Sequence, residues 1–128
     1  MIEKIRILLV DDEPIITKLV GKRLEAEGFE VSTAKDGQEA YEKTRKEAPQ
    51  LIILDLMLPK MDGYRVCGLL KKDTRYAQIP IILFTARAQE RDMKLADEVG
   101  ADAYITKPFQ AETLLGKIRE LLSAKSQN

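Results

Sequence analysis

The chain contains no histidine. That absence removes the commonest general base and the commonest transition-metal ligand together, so any chemistry must rest on carboxylates, hydroxyls and lysines. Cysteine is almost absent too: Cys67 stands alone, which excludes an internal disulfide and a zinc-finger type of metal site and fits a reducing cytoplasm. Net charge is missing, because 21 Lys and Arg balance 21 Asp and Glu, so no general attraction to nucleic acid or an anionic membrane is expected. The nearest thing to a basic patch, Lys43-Thr44-Arg45-Lys46, is flanked by Glu42 and Glu47 and reads as a solvated helix face. Long apolar runs are lacking as well. The N-terminal run IRILLV has acids on both sides and is too short for a signal peptide or a membrane span, so the chain is expected to be soluble, uncleaved and cytoplasmic.

What is present is a regular alternation. At 128 residues the chain has the length of one domain and can bury a real core. Short apolar runs at about residues 5 to 10, 29 to 34, 51 to 54, 80 to 84 and 103 to 106 read as strands, and helical patterns lie between them. A first helix opens near Pro14, carries Ile16, Val20 and Leu24 on its inner face, and stops at Gly28. A second starts near Gly37 with Ala40, Tyr41 and Thr44 inward and cannot pass Pro49. A third begins near Gly63 with Val66, Cys67 and Leu70 inward; a fourth carries Met93, Ala96 and Val99 and ends at Gly100; a fifth carries Leu114, Ile118, Leu121 and Leu122. Strands joined by helices of this length run parallel, which makes the class α/β. The last residues, from Ser123, lose the apolar stripe and are expected to fray.

Four of the apolar runs end in a polar residue suited to phosphoryl chemistry: Asp11 and Asp12, Asp55, Thr85, and Lys107. In an open parallel sheet the carboxyl ends of the strands lie at one edge, so these residues are expected to meet. Adjacent acids before a helix have an ordinary use as caps and dipole partners. A third carboxylate, Asp55, set in the apolar neighbourhood of Leu54 and Leu56, shifts the reading toward a hard-cation site, because crowded carboxylates repel unless a divalent cation neutralises them. An aspartate can also attack phosphorus to give an acyl phosphate, helped by cations and donors around the transferring oxygens. Lys107 and Thr85 could serve there; singly, a lysine before proline and a threonine at a strand end are ordinary surface and backbone-bonding residues.

Taken together, Val10-Asp11-Asp12-Glu13-Pro14, Leu54-Asp55-Leu56-Met57-Leu58-Pro59 with Asp62-Gly63, Phe84-Thr85-Ala86, and Lys107-Pro108-Phe109 resemble the receiver domains of bacterial response regulators. The resemblance covers roughly residues 4 to 124, giving a receiver domain over 1–124 and a frayed tail over 125–128. It implies a doubly wound, flavodoxin-like sheet of five parallel strands in the order 2-1-3-4-5 with helices on both faces. It further implies that Asp55 accepts a phosphoryl group from a histidine kinase or histidine phosphotransfer protein. Asp12 and Asp55 would ligate Mg2+, Asp11 would act directly or through water, and the Met57 carbonyl would complete the set. Thr85 and Lys107 would bind phosphoryl oxygens, with a cis Lys107-Pro108 bond aiming the lysine. Thr85 and Tyr104 would form the switch that alters the face of the fourth helix, fifth strand and fifth helix for a downstream protein target. Met57 and Arg87 would tune the lifetime of the acyl phosphate. The protein would catalyse only its own phosphorylation and dephosphorylation, without direct nucleic-acid or membrane contact. It would be a monomer or a weak phosphorylation-dependent dimer, with Lys117 and Arg119 available for ion pairs.

Rival readings differ in what they require. A flavin domain of the same architecture would want a nest of N–H donors where Asp11-Asp12-Glu13 stands. An aspartyl phosphohydrolase would want an acid two residues after the nucleophile, where this chain has Met57. The receiver portion of a larger transcriptional regulator, and a receiver-like interaction module that is never phosphorylated, remain as alternatives.

Overall fold

A computed structural model describes residues 3–86 and 90–126. The strands are β1 (Arg6–Val10), β2 (Glu30–Ala34), β3 (Leu51–Asp55), β4 (Ile81–Thr85) and β5 (Ala103–Thr106). The helices between and after them are α1 (Pro14–Ala26), α2 (Gly37–Glu47), α3 (Gly63–Lys72), α4 (Glu90–Glu98) and α5 (Ala111–Ser126). All four strand pairings are parallel and the sheet order is β2-β1-β3-β4-β5. The fold class and strand order thus match the expectation.

The apolar runs are continuous because both faces of the sheet are covered. Leu8, Val10, Ile52, Leu54, Ile81 and Leu83 point to one face, where they pack with Val66, Cys67, Leu70 and Ala96 of α3 and α4. Ile7, Leu9, Leu51, Ile53, Ile82 and Phe84 point to the other, against Leu24 of α1 and Leu114, Leu115 and Ile118 of α5. Leu115, not placed on the inner stripe by periodicity, is as buried as Leu114. Met93 is a correction in the opposite sense: it is 52% exposed. Residues spaced by three drift about 60° around a helix at each step, so with Ala96 buried and Val99 packed on the core, Met93 is carried out of the interface. At the C-terminus α5 continues through Ser126, past the point where its apolar stripe fades.

The two edges of the sheet differ. At the N-terminal edge, Gln50 and Arg6 exchange bonds: the Gln50 N–H donates to the Arg6 carbonyl at 2.9 Å, and the Arg6 N–H donates to Gln50 Oε1 at 2.9 Å. At the C-terminal edge the chain leaves β1 toward β2 on one side and returns to β3 on the other. The crevice where such connections diverge is where ligands bind in open α/β sheets, and here it is where Asp11 and Asp55 emerge.

Candidate functional site

Each of the four strand ends delivers its side chain by a distinct local device. Asp11 follows β1 directly, and its backbone N–H donates to the Ala34 carbonyl of β2 at 3.1 Å. Its Oδ1 accepts from the Glu13 N–H at 2.9 Å, a turn bond two residues on rather than the helix cap expected of an acid there, since Glu13 is the N-cap of α1 and the helix has no side-chain cap bond. The other oxygen, Oδ2, faces Lys107 Nζ at 2.8 Å. Asp12 is exposed and borders an open cleft of about 340 Å3 shared with Thr17, Lys35 and Lys43. Asp55, the last residue of β3, is 3% exposed; its Oδ1 accepts from the Met57 N–H at 3.0 Å and its Oδ2 lies 3.3 Å from Lys107 Nζ. Gly63 permits this turn, because a Cβ there would stand 2.4 Å from the Asp55 carbonyl oxygen.

Lys107 is held from several sides. Its backbone N–H donates to the Thr85 carbonyl at 2.7 Å, and the Lys107-Pro108 bond is cis, as the resemblance implied. Its ammonium meets Asp11, Asp55 and, at 3.8 Å, Glu13. From beneath, the buried Phe84 ring stands 4.6 Å away and is itself met edge-on by Phe109, with centroids 5.9 Å apart. Cations favour the face of such a ring. No spacing rule in the sequence marked Phe84 for this position; its only signal was an aromatic residue directly before Thr85.

The electrostatics follow from this packing. Burial pushes the Asp55 carboxyl above its ordinary value, and the Asp11 charge adds to that; the Met57 N–H and the Lys107 charge oppose it without cancelling it. For Lys107 burial disfavours the charge, but the hydrogen bond to Asp11 and the charges of Asp55 and Asp11 outweigh it, so the ammonium is held above its ordinary value. Asp11, Asp12 and Asp55 each present an oxygen, and all of these lie within 4.8 Å of one another. That donor set fits a hard divalent cation: all-oxygen, partly exposed through Asp12, with room for water on the cleft side.

Thr85, the end of β4, is fully buried and pairs in register with Thr106. The Met57 side chain is 55% exposed at the mouth of the site. Tyr104, on edge strand β5, is half-buried against the core on the α3 and α4 side. Arg87 lies outside the described residues. Lys117 and Arg119, expected to be available for pairs between molecules, are engaged within the chain, with Glu120 and with Glu27 of α1's end, each at 3.1 Å.

Comparison with known proteins decides the family. The sequence profile of the response regulator receiver domain matches residues 7–119. The chain belongs to the response regulator receiver domain family. Among solved structures, this receiver is similar to a CheY-like response regulator receiver domain protein from Methanospirillum hungatei JF-1. The TM-score is 0.92 and the identity 33%, over 98% of each chain. It is also similar to the chemotaxis protein CheY4 of Vibrio cholerae, with a TM-score of 0.87 and 32% identity over 93% of this chain and 99% of that one. Among curated relatives, the DNA-binding dual master transcriptional regulator RpaA of Synechocystis is 45% identical over 91% of this chain and 48% of its own length. The alkaline phosphatase synthesis transcriptional regulatory protein PhoP of Bacillus subtilis is 44% identical over 91% and 48%. The receiver spans about half the length of the curated relatives it matches. No helix among the described residues is long and apolar enough to cross a membrane.

Proposed function

We propose that this receiver is a phosphorylation switch in a two-component relay, with Asp55 as the acceptor. The observation that carries the reading is the buried Asp55 carboxylate, facing Lys107 on one side and two further carboxylates on the other. In the proposed step a carboxylate oxygen of Asp55 attacks the phosphorus of a phosphohistidine on a kinase or phosphotransfer protein. The P–N bond breaks, the imidazole leaves, and an acyl phosphate forms. Asp11, Asp12, Asp55 and the Met57 carbonyl would hold Mg2+, which supplies charge neutralisation at the transferring oxygens. Lys107 follows the negative charge onto the phosphoryl group, and the Thr85 hydroxyl donates to one of its oxygens. The chain's lack of histidine means the phosphoryl group must come from elsewhere.

Intact mass after incubation with Mg2+ and acetyl phosphate tests the acceptor: the mass should rise by one phosphoryl group, and Asp55→Asn should abolish the rise. No gain under saturating donor would leave a receiver-like interaction module as the surviving reading.

Met57 and Arg87 are proposed to set the lifetime, Met57 by screening the phosphoryl group, Arg87 by reaching toward it. Neither can activate water as an acid or amide would, so self-dephosphorylation is not especially fast. Met57→Asn should speed loss of phosphate; an unchanged or slower loss would refute the screening role.

A specific observation favours one further refinement. The curated relatives are transcriptional regulators about twice as long as this chain, so the receiver's output is proposed to be control of a DNA-binding partner or attached domain. Nucleic acid would not be contacted by the receiver itself. The work is proposed to take place in the cytoplasm.

A further inference from the structure

The segment that follows the acceptor is held from outside the acid cluster. Lys60 sits at φ 67°, in the left-handed region that a residue with a side chain seldom occupies. It forms the centre of a three-residue turn, which the Met61 N–H closes by donating to the Pro59 carbonyl at 2.7 Å. A turn of this kind is strained and persists only where its surroundings over-determine it.

The junction between β2 and α2 supplies those surroundings. The Gly37 N–H donates to the Pro59 carbonyl at 3.4 Å. Lys60 Nζ lies 3.6 Å from Asp36 Oδ2, a carboxylate whose side chain is 8% exposed. The fit at Gly37 is close: a Cβ there would stand 1.8 Å from the Met61 carbonyl oxygen, so no other residue leaves this contact intact. Asp36 is itself fixed, because its Oδ1 accepts from the Glu39 N–H at 2.7 Å while Glu39 Oε1 accepts from the Lys35 N–H at 2.8 Å. That backbone bond, helped by the Lys60 and Lys35 charges, keeps the Asp36 carboxyl below its ordinary value and therefore ionised.

One residue, Leu58, separates this turn from Met57. At its upstream end the Met57 N–H is bound to Asp55 Oδ1, and between them Leu58 is buried. A short segment fixed at both ends cannot rotate its carbonyls freely. We propose that Asp36, Gly37 and Lys60 are positioning residues for the cation site, pinning the turn over residues 59–61 to the start of α2 and so holding the Met57 carbonyl where Mg2+ takes it. The inference rests on the cation reading above and adds residues to it that touch neither cation nor phosphoryl group.

Isothermal titration of the metal-free protein with Mg2+ alone tests this, with far-UV circular dichroism to confirm folding. Gly37→Ala should weaken Mg2+ binding about ten-fold, the scale of losses seen when residues that orient metal ligands are removed. Lys60→Met gives a test that does not depend on Gly37→Ala folding. Removing a positive charge near an acidic site would by simple electrostatics tighten Mg2+ binding, whereas loss of the pin should weaken it, by about two-fold for a half-exposed pair. Weaker binding by Lys60→Met supports the pin. Unchanged or tighter binding by Lys60→Met, or wild-type affinity in a folded Gly37→Ala, overturns it while leaving the cation site standing. A wild-type protein that takes up no Mg2+ overturns both.

Discussion

Asp55 concentrates the physics of this receiver at one residue. Burial raises its carboxyl above the 3.8 of a free aspartate, so between those two values the native state binds more protons than the unfolded chain. Stability therefore falls as pH rises through that window, and above it the full cost of a buried charge is present. Asp55→Asn removes the charge. Without Mg2+ it should raise the midpoint of thermal unfolding by a few degrees at pH 7, and the advantage should vanish below about pH 3.8, where both states hold the proton. Adding Mg2+ should reverse the ranking, because the wild type gains the free energy of a ligand bound only by the folded state. Differential scanning calorimetry across pH checks both, and a wild type more stable than Asp55→Asn at pH 7 without metal would contradict the raised carboxyl. Asp55 could be picked out as an odd acid after LIIL, yet its distance from Lys107 could not, since that depends on how β3 and β5 end relative to each other.

At the scale of single elements, most boundaries followed from local chemistry. Pro14 opens α1, Asp36 and Asp62 cap α2 and α3 through the Glu39 and Arg65 N–H groups, and Gly28 and Gly100 take positive φ after α1 and α4. The exception is the end of α2. Ala48, not glycine, occupies the left-handed cap at φ 46°, with its N–H donating to the Thr44 carbonyl at 2.9 Å. Its side chain is exposed, so nothing packs against the methyl in compensation. Ala48→Gly should stabilise the protein by about 0.5 to 1 kcal/mol, the left-handed penalty less the extra chain freedom of glycine. Urea unfolding measures this, and a destabilised variant would mean that the alanine is favoured in some way the backbone does not reveal. The sequence pointed to Pro49 as the terminator, and the helix does end before it, but the residue that makes the turn is the one proline leaves unspecified.

Across the whole molecule, the proposed input and output lie at different places in one sheet. β5 is an edge strand, paired among the described residues only to β4. On α4, Ala96 is buried while Met93 and Leu95 are exposed. Regions with few buried apolar contacts are the ones that rearrange at small free-energy cost. If charge at Asp55 biases Thr85 and Tyr104, amide hydrogen exchange after treatment with acetyl phosphate and Mg2+ should change most in α4, β5 and α5 and little in β1 and α2. A change confined to the loops around Asp55 would count against the switch. The five strands and the two core layers were legible as alternating apolar runs and helical stripes, whereas the strand order was implied only by the family resemblance; Leu115 and Met93 depart from the spacing because an inner stripe is set by how each helix is rotated against the sheet, which spacing alone does not give.

By itself the sequence determined the elements, their parallel connection and the polar residue at four of the five strand ends, because these depend on local propensity and on connections long enough to hold a helix. Only the tertiary structure decided how those ends meet. The 4.8 Å grouping of Asp11, Asp12 and Asp55, the Phe84 ring beneath Lys107, and the closeness of Gly37 to Met61 arise where strands and turns distant in sequence converge. No local preference encodes such distances; they are set by sheet order, register and the packing of helices over both faces.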